Sequence, residues 1–446
     1  MKKKRLIALT VTLVLFAGVL AGCANPNADA SSQQTASPND QEVVELTFWD
    51  ENPGTIQTPL YEGLIEEFNS LHDDIHVTYV AIPHDSARDK YFVAVESGTA
   101  PDVGSIEMFW LSNLVARDAL LPLDAYFDSW DDSEQFLSLY IDLTKNMGNG
   151  TLYMIPYTCF IDVLWYRTDW LAETGVPDLS TWDNFFTAVE KMTNKEEGRY
   201  GFAMRGANKS TNQLQADLYS YSGITEYFTE DGKCTINDPA HVEFLEKWVS
   251  MYGVYTAESD ITSGYQEMTA AFDSGAAGMF HHNLGSYFEH VATLGVDKFA
   301  AATLPKSIQG YQLMICNDFC GDVIFNTTEH PEEAWELITF LASKKGQSEW
   351  NQAIGEMPVR TDVAEEEWLQ NIQALRLTAE VLSDPEVRTL ILPTELPDYT
   401  TIHEQYLEPE FQRLLQGQIS AQSFLDDWAR MMEEAKAEYD ESQGQK

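Results

Sequence analysis

A chain of 446 residues with 71 acidic and 27 basic side chains carries a formal charge of −44. That excludes nucleic acid as a natural partner, because a polyanion would be repelled rather than exchanged for counterions. The 44% hydrophobic and 12% aromatic content is ample for packed cores, so the charge belongs on solvated surfaces, and the length calls for two large lobes.

The chain opens with "MKKKR" and the apolar run "LIALTVTLVLFAGVLA". That run is shorter than the roughly 20 residues a spanning helix needs, so residues 1–22 read as a secretory signal peptide. The run ends in "LAGC", which resembles the lipobox of bacterial lipoproteins and implies cleavage before Cys23 with a diacylglycerol on its sulfur. Each buried methylene contributes about 0.8 kcal/mol, so acyl chains in pairs hold a protein on a membrane where a single chain binds only marginally. Residues 23–42, small and polar, form a flexible tether.

The folded part begins at "VVELTFWDENPG", where Val44, Leu46 and Phe48 alternate as in a strand and Asn52-Pro53-Gly54 makes a turn. "LYEGLIEEFNSL" then places Leu60, Leu64, Phe68 and Leu71 on one helical face. "IHVTYVAI" reads as strand, "SARDKYFVAVESG" as helix capped by Gly98, and "PDVGSI" as strand. This alternation predicts an α/β fold with a parallel sheet and covering helices. Further on, "TWDNFFTAVEKMT" and "PEEAWELITFLAS" are helices, the second with Pro331 in its first turn. Phe424, Leu425, Trp428 and Met432 give the acidic C-terminal segment an ordinary amphipathic helix.

Cys159, Cys234, Cys316 and Cys320 are too scattered for a disulfide framework. "GYQLMICNDFCGDVIF" reads as strand, which would hold Cys316 and Cys320 about 13 Å apart, beyond bridging distance without a sharp bend. Neither paired CxxC motifs nor an HExxH helix occurs, so no metal and no cofactor are expected.

Seven segments in order, among them "LTFWD", "FVAVESGTAPDVGSI", "LLPLD", "AAFDSGAAGMF" and "GEMPVR", resemble extracellular solute-binding proteins of family 1, the maltose-binding-like lipoproteins of ABC sugar importers. The resemblance implies a two-lobed periplasmic-binding-protein-like fold of type II with a ligand cleft between discontinuous lobes. Crossings near Tyr153–Tyr157 and Phe299–Pro305 would give lobe one as 43–154 plus 304–345 and lobe two as 155–303 plus 346–446.

By the same resemblance, Asp50 and Glu51 are hydroxyl acceptors in the first cleft loop, and Trp49 is either a cleft or a core residue. Glu107 and Trp110 read ligand from lobe one, unless Trp110 packs inward, and Tyr157 sits near the hinge floor. Gln215, Tyr221, Tyr399 and His403 come from lobe two. Many relatives carry Gly-x-Trp where this chain has His281-His282-Asn283, so the stacking indole is missing, and the histidines are either loop polar groups or donors to ligand. Asp322, in place of a Gly-rich turn, would add a third carboxylate to the cleft and suit an amino-bearing ligand as well as a sugar.

The reading that follows is a monomeric, lipid-anchored substrate-binding subunit on the extracytoplasmic face of a bacterial membrane. It would take a mono- or oligosaccharide to permease partners, without catalysis. A binder of a non-sugar solute such as a polyamine is the alternative. A glycoside hydrolase using Asp50 and Glu107 is a third, since paired carboxylates can do that chemistry.

Overall fold

The computed structural model of the chain describes residues 43–315 and 318–444. The expected signal peptide, the tether with Cys23, and Cys316 lie outside the described residues. No helix among the described residues is long and apolar enough to cross a membrane.

Strands β1 (Val44–Asp50), β2 (Ile75–Ala81) and β3 (Val103–Glu107) form where the alternation predicts them. β1 pairs in parallel with both, from Val44 opposite Ile75 to Asp50 opposite Ala81 on one side. Gly98 caps the helix His84–Ser97 at φ 67°, a left-handed conformation that glycine adopts without steric cost.

The sheet is not wholly parallel. Its order is β2-β1-β3-β9-β4, and β9 (Phe319–Ile324) runs antiparallel to both β3 and β4 (Ile155–Cys159). Where β4 meets β9 the register shifts between Pro156 and Thr158, as expected for a proline that has no N–H to give the ladder. Gly321 sits opposite that bulge. A Cβ there would come within 2.8 Å of the Ile155 carbonyl, so the two backbones close up only because the residue is glycine.

A second sheet, β6-β5-β7, is antiparallel throughout and consists of β5 (Val163–Arg167), β6 (Met279–His282) and β7 (Phe299–Ala302). Single parallel bridges, Tyr200 to Ala277 and Ala203 to Phe280, lay the 200–204 segment along β6. The expected strand around Cys316 and Cys320 is divided: β8 (Leu313–Ile315) pairs with β10 (Arg388–Leu390), and β9 belongs to the first sheet. Cys159, Cys234 and Cys320 are buried free thiols.

Two buried clusters result. One holds Phe48, Phe68, Tyr91, Leu111 and Val323 around the first sheet. The other holds Phe185, Phe202, Leu218, Phe244 and Trp248, together with Leu425 and Trp428 of the C-terminal helix Ala421–Gly444. Helix Lys344–Ile354 joins the first, where Trp350 lies edge-on to Tyr157 at 4.8 Å. Residues 155–159 and 346–354 thus pack with the first sheet, whereas the expected lobe division sets them with lobe two.

The helix Gln57–Leu71 buries Tyr61, Leu64, Ile65 and Phe68. The expected stripe through Leu60 and Leu71 is therefore rotated, and Leu71 is 64% exposed. Tyr61 takes the core position because its ring meets Phe48 at 5.2 Å and Tyr79 at 5.9 Å, an aromatic cluster that a count of aliphatic residues overlooks. Phe68→Ala is expected to cost about 3–5 kcal/mol in urea unfolding, and Leu71→Ala no more than about 0.5 kcal/mol. Equal costs would contradict this helix orientation.

Candidate ligand-binding site

The carboxyl ends of β1, β2 and β3 lie side by side, and each brings an ionisable residue there: Glu51 directly after β1, His84 three residues beyond β2 at the start of its helix, and Glu107 as the last residue of β3. His84 Nδ1 lies 3.1 Å from Glu51 Oε2, and His84 Nε2 lies 3.7 Å from Glu107 Oε1. Lys209 Nζ approaches the same Glu107 oxygen at 3.5 Å from the start of helix Ser210–Ser222. The four groups alternate in sign. Hydrogen bonding to Glu51 lifts His84 to about 9, so it is protonated at neutral pH. Burial lifts Glu51 to about 7 despite that partner, and Glu107 raises Lys209.

Glu51, His84 and Glu107 also bring one ligand atom each within 4.8 Å of one another, the spacing of a metal site. Two cations already neutralise these carboxylates, however, and a metal would have to displace the proton of His84 beside the Lys209 ammonium. The residues fit an ion-pair chain better than a ligand set.

Lys209 and Asn208 adopt left-handed backbone at φ 72° and 50°, an uncommon conformation for residues other than glycine. They bring Lys209 Nζ over the Phe109 ring at 5.4 Å, and Phe109 in turn lies parallel to Tyr399 at 6.4 Å. Nearby, Asn113 Nδ2 donates to the Pro397 carbonyl at 3.2 Å. Helix Met108–Ala116 therefore meets elements of the second cluster directly.

The opposite wall is the end of the second sheet. His281 sits between Asp217 at 3.0 Å and Asp162 at 3.3 Å. Burial opposes its charge, but the two carboxylates outweigh burial and lift it to about 10. His282 stacks on the Tyr265 ring at 4.4 Å, and burial with Arg205 nearby pushes it down to about 3, so it is neutral. Arg205, one residue beyond the segment paired with β6, has a buried Nε without a hydrogen-bond partner, as does His282 Nδ1. Glu356 Oε2 is likewise buried and unpartnered. Burial pushes Asp318 up to about 7 and Glu356 well above the carboxylate range. An unmade hydrogen bond at a buried polar atom costs about 1–3 kcal/mol, so a group of them marks a place where a ligand could supply the partners.

The structure gathers only part of the expected set. Glu51 and Glu107 stand at the strand ends of the first sheet, and His281 and His282 at the end of the second. Asn283 stands beside them, but its Oδ1 accepts from the Gly285 amide at 3.2 Å as a local cap. Asp50 turns into the first core, accepting from Tyr79 at 2.7 Å and the Asn52 amide at 2.9 Å. Trp49 takes the packing alternative, edge-on to Tyr91 at 5.3 Å beneath Lys90. Trp110 is buried against Tyr91 at 5.7 Å. Tyr157 is the bulged residue of β4, buried with its hydroxyl 2.8 Å from Ser105 Oγ.

Gln215, on helix Ser210–Ser222, donates to the Tyr399 hydroxyl at 2.6 Å, and both are buried. His403 is buried against Thr211 at 2.9 Å. Tyr221 packs on Phe244 at 4.9 Å, away from the Gln215–Tyr399 contact in the second cluster. Asp322 does not join Asp50 and Glu51 in a cleft. The β9 register turns it into a cavity of about 10 Å³ lined by Tyr61, Tyr157, Gln347 and Trp350, with both oxygens unpartnered.

Sequence reasoning missed His84, Asp162, Arg205, Lys209, Tyr265, Asp318 and Glu356. His84 was within reach, because ligand sites in α/β sheets gather at the carboxyl ends of parallel strands, and His84 opens the helix that follows β2. Lys209 and Arg205 carried no comparable signal, since their place depends on a left-handed turn and a single β-bridge.

The family model described as bacterial extracellular solute-binding protein matches residues 53–348. An uncharacterised ABC transporter extracellular-binding protein of Pyrococcus horikoshii is 23% identical, covering 81% of this chain and 82% of that one. An ABC transporter solute-binding protein of Thermotoga lettingae, solved with α-D-tagatose, superposes with a TM-score of 0.75 at 20% identity, covering 88% of this chain and 99% of the other. The sugar-binding protein MalE of Xanthomonas citri gives 0.75 at 20%, covering 90% and 100%. The fold is the mixed α/β, two-lobed one of these binding proteins.

Burial raises the Asp322 carboxyl far above its usual value, with Asp50 adding to the effect. A group raised on folding contributes stability that is full below its unfolded pKa and is lost as pH rises through the folded value. Asn keeps the shape without the charge. The advantage of Asp322→Asn over the parent protein in urea unfolding should therefore grow from pH 5 to pH 8, by at most about 1.4 kcal/mol per pH unit. A constant difference would show that Asp322 keeps an ordinary pKa.

Proposed function

Because the chain belongs to the bacterial extracellular solute-binding protein family, we propose that it captures a carbohydrate between its two lobes and delivers it to the permease of an ABC importer, with no catalysis of its own. The observation that carries this reading is the junction itself. Glu51, His84 and Glu107 gather at the strand ends of the first sheet, Lys209 meets Glu107 from the start of helix Ser210–Ser222, and Arg205 and His282 lie at the end of the second sheet, with Phe109 and Tyr399 beside Lys209. Water already satisfies a sugar's hydroxyls, so affinity must come from held polar groups that replace that water and from aromatic faces against its C–H surface. Glu51, Glu107, Lys209 and Arg205 are such polar groups, and Phe109 or Tyr265 can supply the face.

We place the lobe division at the two sheets, with residues 155–159 and 346–354 on lobe one, since they pack there. Ligand contact with both lobes would favour closure through its differential affinity. The chain acts as a monomer tethered outside the membrane through lipid on Cys23, which follows from the lipobox-like "LAGC". Mass spectrometry of the mature N-terminus reads this directly: a diacylated Cys23 supports the anchor, and an unmodified Cys23 removes it.

Isothermal titration against mono- and oligosaccharides should find at least one ligand of micromolar or tighter affinity. Glu107→Gln should weaken that ligand at least tenfold, about 1.4 kcal/mol, by removing a charge-assisted acceptor. Tight binding of a different solute class, with no saccharide bound, would overturn the carbohydrate reading.

A further inference from the structure

Most carboxylates at the junction already have a partner. Glu51 has His84, Glu107 has His84 and Lys209, and Asp162 has His281. Glu356 is different. It is 2% exposed, its Oε2 makes no hydrogen bond, and no cation lies within ion-pair distance among the described residues. The charged groups that act on it are Asp318 and Asp162, both acids, and its one stabilising contact is the Gly285 amide. A Cβ on Gly285 would lie 2.6 Å from Glu356 Oε1, so that backbone presses against one oxygen and leaves the other open. Tyr265 stands within electrostatic reach of Glu356, with its ring held by the neutral His282 at 4.4 Å.

Asp162 is paired with His281, and Asp318 lies within reach of Lys209 and Arg205, so Glu356 is the acid at this wall without a cation of its own, and the nearby Tyr265 ring adds to its attraction for a positive charge. A hydroxyl offered to Glu356 gives one hydrogen bond but leaves its ionised form without a counter-charge. An ammonium supplies both the bond and the charge. The Glu51-His84-Glu107-Lys209 chain needs no such group, because its signs already alternate.

We propose that Glu356 and the Tyr265 ring form a subsite for a protonated amino group, so that the solute taken here is an amino-bearing saccharide. The inference rests on the carbohydrate reading for the saccharide part and on Glu356 for the amine. Titration of the full-length mature protein with the β-1,4-linked glucosamine disaccharide and with cellobiose compares ligands that differ in amino against hydroxyl groups at C2. The amino disaccharide should bind at least tenfold more tightly, and its N-acetylated form, which has lost the charge, should lose that advantage.

Glu356→Gln, close in shape and uncharged, should reduce the preference to about threefold or less, read as the ratio of the two dissociation constants so that a loss of affinity common to both ligands cancels. Because the acetylation comparison uses the unaltered protein, it stands even if the variant folds poorly. Equal binding of the amino and hydroxyl disaccharides, or tighter binding of digalacturonate, would overturn the amine subsite and leave the carbohydrate reading in place. Binding of spermidine but of no saccharide, abolished by Glu356→Gln, would keep the subsite and overturn the carbohydrate reading. Binding of none of these probes would overturn both.

Discussion

The alternating chain Glu51–His84–Glu107–Lys209 is the interaction on which the rest of the site depends. Glu51 is almost wholly buried, and a carboxylate taken out of water is tolerated as an ion only when a paired charge offsets its desolvation. His84 supplies that charge, and Lys209 completes the run from the other side of the junction. The same arrangement links three strand ends of one sheet to a helix start beyond the other. Contact between the two halves is therefore electrostatic as well as apolar, with Phe109 under the lysine and Tyr399 parallel to Phe109.

The fold explains why ionisable groups collect there. Parallel strands β1 to β3 all end on one side, so the residues that follow them converge without any contact between them in sequence. Opposite them, β6 and the segment paired with it bring His281, His282 and Arg205 to a common edge. Several of these polar atoms have no protein partner, and at about 1–3 kcal/mol each they are a cost borne by the two hydrophobic clusters. A binding site is a place where such a cost persists, because the missing partner arrives with the ligand.

Much of this was legible in the residues, and the reasons for the rest are physical. Alternation located β1, β2 and β3, and the cap at Gly98, Pro331 in the first turn of its helix and the amphipathic C-terminal helix stand where local chemistry puts them. Glu51 and Glu107 were reachable because strand ends can be read locally. Trp110 and Tyr157 were not, since an aromatic residue near a strand end can turn inward or outward, and the Tyr91 and Trp350 rings that receive them come from distant segments. Asp322 depended on the register of an antiparallel strand, where one residue of slip exchanges the two faces. Lys209 and Glu107 are far apart in the chain, and nothing local announces their contact.

The central claim is that one ligand is held from both sides of this junction. A crystal structure of the protein with its tightest-binding saccharide tests it most directly. The account predicts ligand atoms within hydrogen-bonding reach of Glu107 or Glu51 on one side and of Arg205, His282 or Glu356 on the other. A saccharide bound to one side alone, or in a cavity away from these residues, would contradict it.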